Sequence, residues 1–340
     1  MHAPKPSTHH AWHYRMLLVG IAVITLILAA CGTPPPPKVY RVGVLSGLEY
    51  AAGVTDGFKA GLSELGYREG ENISYDIQAT NIDPVAYQRI LQGFVANKVD
   101  LILAFPTEAA LDAKAIAATN DIPVVFGFAQ IEGVNLVKSV REPGKNLTGV
   151  RLPGPELAIK RFEVMHTIVP QAKRILVPYL RDYPIVPPQL EALRPVAAAA
   201  GVTLVELPVA SPDELEAALK LQGSGDTVNV DAILQLVEPV AVTPAFFVVL
   251  GRFAAEHRLP LGGAYLSVDG YESLFGIHVD SKDIGHDAAS LADKVLKGAP
   301  AGSIPVISGD SIFQINYREA QRLGLSIPAG IISEADQVLK

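Results

Sequence analysis

At 340 residues the chain has room for one large domain or two of ordinary size. A hydrophobic content of 49% against 19% charged residues excludes a disordered chain and allows a sizeable buried core. The net charge is −7, and −9 once residues 1–30 with Lys5 and Arg15 are set aside, which excludes a binder that displaces counterions from nucleic acid.

In chain order the first element is a targeting segment. A mildly basic start with Lys5, Arg15 and four histidines leads into the apolar run Met16 to Leu28. That run is shorter than the ~20 apolar residues a spanning helix needs. Leu28-Ala29-Ala30-Cys31-Gly32 follows and resembles the bacterial lipobox. Small residues fit a peptidase site, and a Cys in the first mature position takes a thioether-linked lipid. Residues 1–30 are therefore expected to be a lipoprotein signal peptide, with Cys31 lipidated; an ordinary secretory signal cleaved near Ala30 is the other reading. Cys31 is the only cysteine, so no intrachain disulfide can form. The four prolines of Thr33 to Pro37 favour a stiff polyproline tether, and residues 31–38 are assigned to it. The expected location is outside the cytoplasm, lipid-anchored to the bacterial cell membrane on the periplasmic or cell-surface side.

From Val39 onward β-rich runs alternate with helical stretches. Strands are expected at Val39 to Leu45, Asn72 to Ile77, Leu101 to Ala104, Pro123 to Phe128 and Leu147 to Val150. Helices are expected at Ala51 to Leu65, Pro84 to Ala96 behind the cap Asp83, and Thr107 to Ala117. The rhythm then repeats. Strands fall at Arg174 to Tyr179, Thr203 to Leu207, Ala232 to Leu236 and Leu261 to Tyr265. Helices fall at Glu156 to Ile168, Gln189 to Ala200, Ser211 to Leu221 and Pro244 to His257. A tail follows, with strands at Leu274 to Val279 and Phe313 to Ile315 and helices at Ile284 to Leu296 and Arg318 to Leu323. The strands read as covered on both faces, so the fold class is α/β. Two doubly wound parallel-sheet lobes with a hinge and an interlobe ligand cleft are expected. Lobe 1 is assigned residues 39–150 plus 273–300, and lobe 2 residues 151–272 plus 301–340.

Ligands in open α/β sheets bind at the carboxyl ends of strands. The loops there nominate Ser46, Glu49, Tyr50, Phe105, Thr107, Phe128, Gln130, Arg151, Tyr179, Glu238, Tyr265 and Asp280 as ligand-binding residues. Aromatics can sandwich a planar or apolar group. The helix start at Thr107 offers N–H groups to a carboxylate, and Glu238 or Asp280 could meet an ammonium. The set suits a zwitterion such as an amino acid. No Walker loop, strand-linked dinucleotide fingerprint or nucleophile elbow is present. His278, Asp280 and His286 lie close in sequence but lack a metal-ligand spacing, so neither a metal nor another cofactor is expected, and the chain is read as no enzyme.

Several stretches together resemble the ABC-transporter substrate-binding proteins that include the tryptophan- and tyrosine-type binding lipoproteins. They are Val42-Gly43-Val44-Leu45, Gly57-Phe58-Lys59-Ala60-Gly61-Leu62, Val99 to Ala104, Asp121 to Phe126, Leu136-Val137-Lys138-Ser139, Asn146-Leu147-Thr148-Gly149-Val150, Ala292 to Gly298 and Leu323 to Pro328. The resemblance covers almost all of the mature chain. It implies a type I periplasmic-binding-protein fold, a small-molecule ligand (an amino acid or related small carboxylate), an ABC permease with its ATPase as partners, and a monomer. The alternatives are a sensory lipoprotein serving a membrane receptor and an extracytoplasmic hydrolase. Thr107 matches the family's Thr turn, and Glu238 falls near its acid. Arg151 stands where the family has Ser or Thr, an added cation suited to a more acidic ligand.

Overall fold

The computed structural model describes residues 38–224, 227–264 and 267–340. The expected signal peptide, Cys31 and the proline run lie outside the described residues, as does Tyr265.

The first sheet grows from strands that are apolar on both sides. In β1 (Tyr40–Ser46) every residue from Val42 onward is buried. β3 (Leu101–Phe105) alternates faces: Leu101, Leu103 and Phe105 join one core cluster, while Ile102 and Ala104 join another. A strand buried on both faces must be covered by helices on both. One face receives α1 (Gly53–Glu64) through Phe58 and Leu62, the other α2 (Pro84–Ala96) through Tyr87, Leu91 and Phe94. The α2 start is as expected: Asp83 accepts from the N–H groups of Val85 and Ala86 at 3.0 Å each, with Pro84 in the first turn. With β2 (Ile73–Ala79), α3 (Thr107–Asn120), β4 (Val124–Ala129) and β5 (Leu147–Arg151), the parallel order is β2-β1-β3-β4-β5.

The second sheet repeats this winding. After α4 (Gly154–Ile168) come β6 (Arg174–Leu180), α5 (Val186–Ala199), β7 (Thr203–Val209), α6 (Pro212–Gln222), β8 (Ala232–Leu234), α7 (Pro239–Val242), α8 (Pro244–His257), β9 (Leu261–Gly263) and β10 (Phe275–Val279). Their order is β7-β6-β8-β9-β10, the same sequence of moves as in the first. Ser211 caps α6 by accepting from the Glu214 N–H at 3.2 Å.

The tail threads between the lobes. α9 (Ser281–Leu296) returns to the first sheet and packs on α1 with no side chain between backbones. A Cβ on Gly57 would lie 1.9 Å from the Lys282 carbonyl oxygen, and one on Gly285 would lie 2.1 Å from that of Val54. β11 (Ile307–Ser308) adds to the edge of β5, and β12 (Ser311–Asn316) pairs antiparallel with β10. α10 (Tyr317–Leu323), α11 (Ala329–Glu334) and β13 (Gln337–Leu339) complete the second lobe's edge.

The expected lobe boundaries are corrected at two points. Phe275–Val279, assigned to lobe 1, pairs with β9 and β12 in the second sheet, so that crossover falls at Asp280. Residues 301–308, assigned to lobe 2, end on the first sheet through Ile307 and Ser308. In each case backbone pairing at a free sheet edge decides, and that choice leaves no mark in the strand's own side-chain pattern.

Candidate functional site

The carboxyl ends of both sheets face one cavity. It holds about 510 Å³ of space not filled by protein atoms, part of it open to solvent. In a sheet ordered 2-1-3-4-5, the loops after the first and third strands diverge and leave a crevice. Here those loops bring Leu48 and Tyr50, Pro106 and Thr107, Tyr183 and Ile185, and Leu236 to Glu238 to the same walls.

The apolar wall is partly aromatic. Tyr50 meets Phe128 edge to face, with centroids 6.1 Å apart. Phe128 holds a positive φ of 49°, uncommon for a residue other than glycine. Burial pushes the Tyr50 hydroxyl's pKa up, Arg161 opposes that, and Asp280 adds to it.

Two charged side chains sit deep in the wall. Arg161 comes from the inner face of α4 and is 2% exposed. Its Nε and Nη2 donate to the Ile277 carbonyl at 3.0 and 2.6 Å, and its Nη1 donates to the Gln235 carbonyl at 3.2 Å. Burial brings its pKa down to about 10, with Tyr50 and Glu238 holding it up. Glu238 is 6% exposed and caps α7. Its Oε2 accepts from the N–H groups of Leu180 at 3.2 Å and Val240 at 3.1 Å, whereas Oε1 has no hydrogen-bond partner. Burial lifts its pKa to about 8 against those two N–H groups and Arg161.

A second carboxyl stands beside the cavity in the first turn of α3. Neither oxygen of Glu108 has a hydrogen bond of ordinary geometry. Burial raises its pKa, contact with the Tyr183 hydroxyl eases it, and Asp112 adds to the rise. The Tyr183 hydroxyl is pushed well above its ordinary value by burial, Glu108 and Glu238.

A chain of buried amides ties the two lobes together behind the site. The Thr107 hydroxyl accepts from the Gln130 N–H at 3.0 Å. Gln130 Nε2 donates to the carbonyls of Glu132 at 3.0 Å and Ile185 at 3.3 Å, and its Oε1 accepts from Gln189 at 3.3 Å. Gln189 then brackets Val237, donating to its carbonyl and accepting from its N–H, both at 2.9 Å. The residue before Glu238 is thereby fixed from both sides.

Of the nominated residues, Tyr50, Thr107, Phe128 and Glu238 line the cavity. Gln130 lies behind it in the amide chain. Asp280 caps α9, accepting from Lys282 at 2.7 Å, and acts on Tyr50 and His278 through its charge. Ser46 and Phe105 are buried in the first lobe, and Glu49 is exposed. Tyr179 lines a different groove with Arg194 and Pro208. Arg151 pairs with Glu132 and Glu156 and donates to Ser308 Oγ at 2.7 Å, so its charge is met by the protein. Reading the sequence missed Arg161 and His278, both in the lining. Arg161 carried one signal: a cation in the buried stripe Leu157, Ala158, Phe162, Met165. Among the described residues no cluster of His, Cys, Asp and Glu could hold a metal.

Two α/β lobes facing one cavity define a solute-binding protein of the type I periplasmic class. Residues 42–339 match the family described as ABC transporter substrate binding protein, and the chain belongs to it. A tyrosine-binding protein of Clostridioides difficile is 30% identical over 257 residues, which is 75% of this chain and 71% of that one. An ABC domain from Streptococcus pneumonia, solved in complex with L-Trp, is 26% identical with a TM-score of 0.78, covering 89% of this chain and 100% of that one. A conserved domain protein from Vibrio cholerae is likewise 26% identical at a TM-score of 0.78, over 88% and 100% of the two chains. The chain is thus a substrate-binding protein and not an enzyme. Its place is extracytoplasmic, as for the substrate-binding proteins of ABC importers. Among the described residues no helix is long and apolar enough to cross a membrane.

Proposed function

We propose that this protein is anchored outside the cytoplasm through lipid on Cys31, binds an amino acid between its lobes as a monomer, and delivers it to an ABC permease driven by its ATPase. The observation that carries the reading is the unpartnered Oε1 of Glu238 in an apolar, partly aromatic cavity walled by both lobes. An α-ammonium supplies the donor that this oxygen lacks. The first turn of α3, beginning at Thr107, offers N–H groups to the α-carboxylate. Tyr50 and Phe128 receive the side chain. A ligand touching both lobes stabilises their closed arrangement over an open one, and the permease takes cargo from the closed form. The ligands in the names of the relatives, tyrosine and L-Trp, support the amino-acid class.

The test is titration of the purified protein with the twenty amino acids, read by thermal shift and small-angle scattering. A binder should raise Tm and shrink the radius of gyration. If no amino acid does either, the reading fails.

A further inference from the structure

Two of the connections between the lobes leave the first sheet side by side. The chain crosses once after Arg151, the last residue of β5, and again after Ser308, the last residue of β11, and these two residues are register partners. The Gly309 N–H donates to the Arg151 carbonyl at 3.3 Å, so the later connection is held to the earlier one as it departs.

The Arg151 side chain works at the same point. Each of its three nitrogens has a partner: Nε donates to Ser308 Oγ at 2.7 Å, Nη1 to Glu132 Oε1, and Nη2 to Glu156 Oε1 at 3.0 Å. Glu132 lies in the first lobe, in the loop after β4, and Glu156 lies in the second, in the first turn of α4. One guanidinium therefore joins a carboxylate from each lobe where the lobes connect. The lobes are close here: a Cβ on Gly133 would lie 2.2 Å from Pro188 Cγ on α5, and Gln130 Nε2 donates to the Ile185 carbonyl at 3.3 Å. The Arg151 and Glu132 side chains are only 20% and 27% exposed, so solvent screens their pairing less than that of a free surface pair. Without the cation, Glu132 and Glu156 are like charges on opposite sides of the connection and repel. Arg151 is absent from the cavity lining, so its charge serves the frame and not the cargo.

We propose that Arg151 is a clasp at the hinge, joining Glu132 of the first lobe to Glu156 of the second, and that it sets how much of the cargo-free protein is shut. This rests on the hinge-closure reading of the cavity and names what sets the balance. A rotation that parts the lobes draws Glu156 away from Glu132 and breaks one arm of the clasp. Closure on any cargo then draws on the same contact, so the clasp tunes affinity without choosing between ligands.

The experiment measures the lobe separation directly. Spin labels are placed on Val85→Cys and Asp213→Cys, exposed residues in the first turns of α2 and α6, in the full chain in detergent with Cys31→Ser so that no other thiol remains. Pulsed dipolar spectroscopy reads the distance between them in otherwise unaltered protein and in Arg151→Gln. Without cargo, Arg151→Gln should raise the open-to-shut ratio about threefold to tenfold. Salt raised from about 0.01 M to about 1 M shortens the Debye length from about 30 Å to about 3 Å. It should open the protein that keeps Arg151, by screening the pairs, and shut Arg151→Gln, by screening the repulsion. Calorimetric titration with tyrosine, tryptophan and glutamate should show every measurable affinity weakened by one common factor of about threefold to tenfold. Distances in Arg151→Gln that match those of the parent at both salt concentrations overturn the clasp. A loss of affinity confined to glutamate returns Arg151 to the ligand and also overturns it. Should none of the three amino acids bring the labels together in the parent, the amino-acid closure reading fails for them, while the cargo-free distances still decide the clasp. If Arg151→Gln does not fold, Glu156→Gln removes the second lobe's arm and is read the same way: an unchanged cargo-free distance overturns the inference.

Discussion

Glu238→Gln separates the cost of burying a carboxyl from its use in binding. Glutamine keeps the shape, and its oxygen can accept from Leu180 and Val240 as Oε2 does now. In the folded protein the carboxyl titrates near about 8 instead of 4.5. The folded chain therefore holds a proton that the unfolded chain has released, and stability falls as pH rises from 4.5 through 8. Below that window both states are protonated and the group contributes nothing; above it the penalty is complete and constant. The full gap corresponds to at most about 5 kcal/mol. The variant has no such penalty. It should match wild type near pH 4.5 and exceed it at pH 8.5 by roughly 2–5 kcal/mol, while its affinity for cargo falls at least about tenfold. Urea unfolding followed by far-ultraviolet circular dichroism across this range measures it. Parallel curves for the two proteins, or a variant less stable at pH 8.5, would show that the protein already satisfies Glu238 as an anion and would refute the reasoning.

Other substitutions probe the scaffold and the anchor. Gly57→Ala forces α1 and α9 apart at the Lys282 carbonyl and should cost about 1–3 kcal/mol, seen as a lower Tm. Gly93→Ala, with open space around it on α2, should leave Tm unchanged or raise it slightly. Gln189→Ala strands the N–H and carbonyl of Val237 and should cost about 2–4 kcal/mol. It should also weaken cargo binding by loosening Glu238, and unchanged affinity in a folded variant would remove Gln189 from the positioning of the site. Cys31→Ser should move the protein from the membrane to the soluble fraction and abolish metabolic labelling with palmitate.

What could be read from the sequence was what local chemistry decides. Asp83 before Pro84 and Ser211 before Pro212 mark helix starts because the capping oxygen and the N–H it serves lie within three residues. Runs such as Leu101 to Ala104 read as buried strands because both faces are apolar. The rule that ligands gather at strand ends nominated Tyr50, Thr107, Phe128 and Glu238, which line the cavity. It failed where a partner is remote. Nothing near Arg151 reveals that Glu132, nineteen residues back, reaches it. Arg161 sits mid-helix, and the carbonyls that hold it lie 74 and 116 residues away. The two-residue strand β11 is too short to carry a period, and the edge it joins is set by tertiary pairing.

The chain passes between the lobes after β5, at Asp280 and after Ser308. The first 151 residues therefore make only a half-built first lobe: most of its sheet is present, but the surface that α9 must cover stays open until residues 281–296 are in place. Neither half can complete itself from its own contiguous stretch. For the same reason, splitting the protein near residue 151 yields two fragments that need each other, not two independent modules.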